Sequence, residues 1–102
     1  MRLPLLAVLL LSSACVVRVV EPVVPLGAEI VTVAPPGDQL EIVTVAPGPN
    51  HVWIKGHWAW RGRWVWEAGF WEVVRPGHRW VDGHWTAHRH GWAWVPGHWH
   101  RL

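Results

Sequence analysis

Residues 94–99 read WVPGHW, and the same frame recurs as WIKGHW at 53–58, WEAGFW at 66–71 and WVDGHW at 80–85. The leading rings are Trp53, Trp66, Trp80 and Trp94, at intervals of 13, 14 and 14 residues. The trailing rings are Trp58, Trp71, Trp85 and Trp99, with Gly56, Gly69, Gly83 and Gly97 between. Two positions ahead of each leading Trp stands another ring: His51, Trp64, His78 and Trp92. Alternation is plain inside the units. Trp64 and Trp66, Trp92 and Trp94, and Trp58 and Trp60 are each two apart, which places them on one strand face, whereas a helix would scatter them around its circumference. From leading to trailing Trp is an odd step of five, which in a regular strand separates them onto opposite faces. One extra residue in a bulge at the glycine restores a common face, and glycine suits a bulge because it takes up positive φ at little steric cost.

Between units lie turn signals: Arg61-Gly62, Arg75-Pro76-Gly77 and Arg89-His90-Gly91. A period this short leaves no room for a helix. Residues 51–102 are therefore expected to form an all-β domain, a small antiparallel meander of about four Trp-rich bulged strands. A domain of that size barely builds a core. Eleven Trp in a chain of 102 residues, with no Tyr and one Phe, supply apolar area in its place. Each Trp buries on the order of 150–250 Å², so core packing and a cross-strand ladder come first among the roles of the motif rings, ahead of ligand stacking.

This pattern resembles the WxxGxW (also written YxWGxW) repeat family of small bacterial envelope proteins, many of them lipoproteins. The resemblance covers Asn50 to Trp99. The family usually carries Tyr two positions before the leading Trp, and His51, Trp64, His78 and Trp92 depart from that, so no tyrosine hydroxyl acts here. The family has no established activity. The resemblance implies a cellular address and a fold, not a reaction.

The chain opens MRLPLLAVLLLSSAC. Arg2 gives a positive start, Leu3 to Leu11 a short apolar run, and Ser12 and Ala14 the small residues of a cleavage site, so residues 1–14 are expected to be a signal peptide. The run is too short to span a bilayer, which takes about 20 residues. Cys15, the sole cysteine, follows LSSA in a setting that resembles the lipobox of bacterial lipoproteins, with Ser12 in place of the usual Leu. The resemblance implies a lipid anchor on Cys15. Val16 after it implies sorting to the outer membrane, facing the periplasm or the cell surface. The alternative is a secreted protein cut after Ala14.

Residues 15–50 form a Val- and Pro-rich linker in which EIVTVAP occurs at 29–35 and again, unchanged, at 41–47. Both copies are β-branched and end in Pro, so they are expected to be extended. A spacer with local extended structure is preferred to a docked hairpin, and a disordered polyproline-like segment is the bland alternative. Charge divides the chain at the same place. Residues 16–50 set Arg18 against Glu21, Glu29, Asp38 and Glu41, whereas 51–102 set seven Lys and Arg against Glu67, Glu72 and Asp82 and hold all eight His.

No catalytic residues are expected. Beyond Ala14 the chain has no Ser, its one Cys is assigned to lipid, and no sequence feature sets Glu67, Glu72 and Asp82 face to face. No cofactor is expected. His88, His90, His98 and His100 form alternating pairs that in a strand point to one face, and imidazole suits zinc, copper or nickel. A tight site from all four is not expected, because a hairpin at the RHG turn carries His98 away from His90. Phe70 occupies the position equivalent to His57, His84 and His98, which favours a ring-filling role for those three. Exposed Trp flanked by Arg and His suits sugar rings and anionic glycans. The reading is thus a non-catalytic envelope lipoprotein, a structural or binding element whose partner is a glycan or a protein. The alternative is a His-mediated metal-binding protein of the periplasm. Nucleic acid, which would also stack on Trp, is not expected of an exported chain. Open sheet edges favour self-association.

The anchor is testable through Cys15→Ser, which is expected to move the protein from the detergent-phase membrane fraction to soluble periplasm or medium. A wild-type chain that carries no lipid adduct by mass spectrometry removes the anchor.

Overall fold

The computed structural model describes Pro4 and residues 23–102. The rest of the expected signal peptide and Cys15 lie outside the described residues. Among the described residues every regular element is a strand: β1 (His51–Ile54), β2 (His57–Trp60), β3 (Trp64–Glu67), β4 (Phe70–Val73), β5 (His78–Val81), β6 (His84–His88), β7 (Gly91–Val95) and β8 (His98–Arg101). Each WxxGxW unit is one strand interrupted at its glycine, so the all-β class and the Trp-rich bent strands are as the sequence implies.

Pairing is antiparallel and goes two units at a time. β2 pairs with β3 and β1 with β4, which makes units one and two a single bent hairpin closed at residues 61–63. Likewise β6 pairs with β7 and β5 with β8, closed at Arg89-His90. The ladder does not continue from the second unit to the third. Arg75-Pro76-Gly77 bends the chain, with Gly77 at φ 72°, but it links two hairpins where a meander would close a third. Each hairpin is tied at its open end as well: Val74 N–H donates to Asn50 O at 2.8 Å, and Leu102 N–H to Gly77 O at 2.9 Å.

The register explains the motif's spacing. Trp53 faces Trp71 and Trp58 faces Trp66; Trp80 faces Trp99 and Trp85 faces Trp94. In every case a leading Trp meets the trailing Trp of the neighbouring unit. Antiparallel pairing reverses one chain, and a five-residue interval reads the same in both directions. Two copies of the motif are thus self-complementary. The facing indoles meet mostly edge to face, with centroids 5.3 Å apart for Trp53–Trp71 and Trp58–Trp66 and 5.4 Å for Trp80–Trp99. Such pairs add roughly 0.5–1.5 kcal/mol each beyond the area they bury.

The motif glycines serve a different need from the one their sequence suggests. Positive φ occurs at Gly27, Gly62, Gly77 and Arg89 among the described residues, and at none of Gly56, Gly69, Gly83 or Gly97. What these four provide is clearance. A Cβ on Gly56 would stand 2.7 Å from Cζ2 of Trp66, one on Gly69 2.6 Å from that of Trp53, one on Gly83 2.5 Å from that of Trp94, and one on Gly97 2.4 Å from that of Trp80. Each glycine therefore receives the six-membered ring of the opposing unit's leading Trp. The break in each strand falls at the same level on both sides of its hairpin, so each hairpin bends as a unit.

Little of the molecule is sealed from water. All eleven Trp are half-buried, and among the described residues the only buried apolar side chains are Ala93 on β7 and Val31 of the linker. Rings serve as ladder and as wall, not as an enclosed core. Val31 reaches its place by pairing with the edge of β7, donating to Trp92 O at 2.8 Å and accepting from Trp92 N–H at 2.7 Å. The linker is thus no free spacer over residues 23–50, nor do its two copies pair with each other. It lies across the hairpins as a strap.

Gly97→Ala tests the clearance role. It should destabilise the second hairpin by about 1–3 kcal/mol, the usual cost of overpacking, and reduce the near-ultraviolet circular dichroism of its Trp pairs. An unchanged melting temperature and spectrum would remove the ring-on-glycine account.

Candidate functional site

The two hairpins meet through their inner halves, and rings make the joint. Trp64 of β3 stands edge-on to Trp85 of β6 with centroids 5.0 Å apart, and His57 of β2 stacks on Trp94 of β7 at 4.4 Å and 20°. Trp85 Nε1 donates to Trp58 O at 2.7 Å, a hydrogen bond that fixes one hairpin against the other. Through Trp60–Trp64 and Trp85–Trp94 the contact becomes one continuous series of rings, Trp60, Trp64, Trp85, Trp94 and His57. Trp64 Nε1 lies buried in it without a hydrogen-bond partner among the described residues. Leaving such a donor unpaired costs on the order of 1–3 kcal/mol, which the ring contacts must offset.

Two clefts flank this wall. The larger, of about 390 Å³, lies between Trp58, Trp60, Trp85 and Trp94 on one side and the linker from Pro25 to Glu29 on the other. The smaller, of about 260 Å³, shares His57, Trp58, Trp85 and Trp94 and is completed by Pro35 to Asp38, Lys55, His84 and Trp92. Lys55 and Asp38 form an ion pair at 3.6 Å there. Four indoles and the His57 ring form one wall of the first cleft, and apolar linker residues with Glu29 form the other. Its chemistry is that of a binding surface for flat or ring-shaped ligands with apolar faces.

The strap supplies the molecule's most specific polar contact. Glu41, the first residue of the second EIVTVAP copy, accepts from Gly56 N–H at 2.6 Å through Oε1 and from Gly69 N–H at 2.7 Å through Oε2. One carboxylate thereby bridges the two motif glycines of the first hairpin. The Gly69 N–H is the chief cause that holds the Glu41 carboxyl below its ordinary range; desolvation opposes it, and the Gly56 N–H and then the Trp66 indole add to the lowering. Three residues on, Thr44 Oγ1 accepts from Trp71 Nε1 at 3.0 Å, and Gly37 O accepts from Trp58 Nε1 at 2.9 Å. At the end of β3 away from the turn, Glu67 is gripped by Arg61 and by His57, its partner in register, whose Nε2 stands 3.3 Å away.

The residues singled out in the sequence divide into two groups. The motif Trp and Gly are brought together, each leading ring over a glycine of the paired unit. The histidines are not gathered. His88 faces Gly91 beside the turn and His90 lies in the turn, whereas His98 faces Val81 and His100 faces Arg79 in the far half of the hairpin. Among the described residues no three His, Cys, Asp or Glu side chains group so as to hold a metal ion. The ring-filling role expected of the motif histidines applies to His57 alone, since His84, His98 and Phe70 are exposed. Glu41 was not foreseen as a site residue. The signal for it was the duplication: two identical Glu-led segments precede two hairpins.

A family model described as the WXXGXW repeat matches the chain twice, over residues 48–72 and 75–100, so that each match spans one hairpin. No curated protein and no solved structure matches the chain.

The clasp on Glu41 is testable by pH. A carboxyl held low stabilises the docked strap above the ordinary glutamate range, and that stabilisation is lost as pH falls through the lowered value. In amide spectra Gly56 and Gly69 should therefore titrate together, with a common midpoint below that range, and Glu41→Gln should abolish the titration. Independent midpoints for the two glycines would remove the bridge.

Proposed function

Because this chain belongs to the WXXGXW repeat family, we propose that it is a non-catalytic binding and structural element of the cell envelope, held by lipid on Cys15 and taking a sugar ring of an envelope glycan into its ring-lined cleft. One observation carries the binding half of this reading: half-buried indoles of Trp58, Trp60, Trp85 and Trp94 line a cleft of about 390 Å³ at the joint of the hairpins. Indoles left half-exposed at such a joint offer apolar ring surface to a ligand without unfolding anything. Sugar rings present a C–H face to an indole and keep their hydroxyls for water or for His57 and Glu29 at the lining. The cationic excess of residues 51–102 suits an anionic glycan.

The envelope location rests on the sequence of residues 1–16 and on the character of the family. The structural half of the reading rests on the fold, in which rings line the ladders and the joint and a strap contacts both hairpins. The cleft is assigned to binding because indoles make up its wall.

Intrinsic Trp fluorescence offers the test. Soluble peptidoglycan or lipopolysaccharide fragments should change the emission saturably in the wild-type chain. Trp60→Ala, which opens the cleft wall, should weaken that binding by up to about tenfold, taking stacking at roughly 0.5–1.5 kcal/mol. Phe70→Ala, which removes an exposed ring in the outer half of the first hairpin, should leave it unchanged. Equal losses in both variants, or no saturable response, would end the glycan reading.

A further inference from the structure

The contact of Glu41 with the first hairpin has a counterpart in the second. Three donors hold the second EIVTVAP copy: Gly56 N–H, Gly69 N–H and Trp71 Nε1–H. Their equivalents in the second hairpin are Gly83, Gly97 and Trp99, since the registers match pair for pair: Trp53–Trp71 corresponds to Trp80–Trp99 and Trp58–Trp66 to Trp85–Trp94. The twin glycines also converge there. The Cβ position of Gly83 is 2.7 Å from Gly97 N, and that of Gly97 is 3.0 Å from Gly83 N.

The first EIVTVAP copy does not sit on these donors. It is held by Val31 on the edge of β7 at Trp92, and Glu29 is exposed. Among the described residues no hydrogen bond engages Gly83 N–H, Gly97 N–H or Trp99 Nε1–H. We infer that Gly83, Gly97 and Trp99 form a second receptor for a glutamate-led extended segment, in which the glycine N–H pair takes the carboxylate and the Trp99 indole takes the threonine hydroxyl three residues on. The first copy, with Glu29 and Thr32, has the sequence that fits. It can come from the same chain, because twelve residues between Glu29 and Glu41 span up to about 40 Å when extended. It can also come from a second copy of the chain, which would join molecules strap to hairpin.

The residues before the glycines differ between the two receptors: Asp82 precedes Gly83 where Lys55 precedes Gly56, and Pro96 precedes Gly97 where Ala68 precedes Gly69. Asp82 carries the change of charge. Its Oδ1 accepts from Trp80 Nε1 at 2.9 Å. An anion at this place lowers the affinity of the second receptor relative to the first. Asp82→Asn keeps an acceptor for Trp80, removes the charge, and should tighten binding.

The experiment is a titration of the isotope-labelled full chain with the free peptide Glu-Ile-Val-Thr-Val-Ala-Pro, followed at the amide resonances of Gly56, Gly69, Gly83 and Gly97 and the indole resonance of Trp99. Expected are saturable shifts at Gly83, Gly97 and Trp99, with Gly56 and Gly69 unmoved. The peptide headed by Gln should bind about tenfold more weakly or worse, as befits a charge-assisted pair. Glu29→Gln separates the sources. If the chain's own first copy reaches the receptor, this variant shifts Gly83 and Gly97 before any peptide is added, independently of protein concentration; if a second copy does, the shift grows with concentration together with molecular mass. Absence of peptide-induced shifts at Gly83 and Gly97 in the Glu29→Gln chain, with Asp82 or with Asn in its place, overturns the inference, as does equal binding of the Glu- and Gln-headed peptides.

Discussion

An indole laid over a glycine is the contact on which the rest of this fold depends. Four times a leading Trp sends its six-membered ring to within 2.4–2.7 Å of where the opposing glycine's Cβ would be. The contact fixes which residues face each other, because the ring reaches that glycine only in one register. It also explains why a chain so poor in sealed interior holds a definite shape. Slipping the register by one residue would place every ring against a backbone that has no room for it. Specificity therefore resides in close approach at four points and not in a jigsaw of buried side chains.

The second level of organisation is the joint between hairpins. Edge-to-face and stacked rings bring Trp64 to Trp85 and His57 to Trp94, and the Trp85 indole donates to the backbone of Trp58. The strap adds a third level. Val31 extends the edge of β7, and Glu41 pins the break in the first hairpin. A strand edge that would otherwise invite pairing is thus partly covered by the chain's own linker, one of the devices by which β proteins manage exposed edges. The clefts exist because of this layering: rings form one wall and the strap the other.

Much of this was legible in the residues. Period-two placement of Trp64 with Trp66 and Trp92 with Trp94 announced strands, and the glycines announced interruptions. The turns at Arg61-Gly62 and Arg89-His90-Gly91 were legible as well. The reason for the glycines was not, since positive φ and close approach leave the same mark in a sequence, and only the facing ring distinguishes them. The same limit applies to Arg75-Pro76-Gly77. It has the composition of a hairpin turn, yet the strands it joins already have partners, β4 with β1 and β5 with β8. The docking of residues 31–44 was hidden for a further reason. Its contacts run through backbone groups of Val31 and Gly37, the carboxylates of Asp38 and Glu41 and one hydroxyl, groups that any polar linker also carries.

The palindromic spacing of the motif has an arithmetic consequence. A unit whose interval is the same read forwards or backwards complements any other such unit, so units are used up in twos. A chain with an odd number would end with one ring-bearing strand lacking a mate, its glycine clearance unoccupied. Parity, not length, is then what duplication must respect, and growth by a whole hairpin is the smallest step that leaves no indole stranded. The hairpin, and not the six-residue motif, is the inheritable module of this architecture.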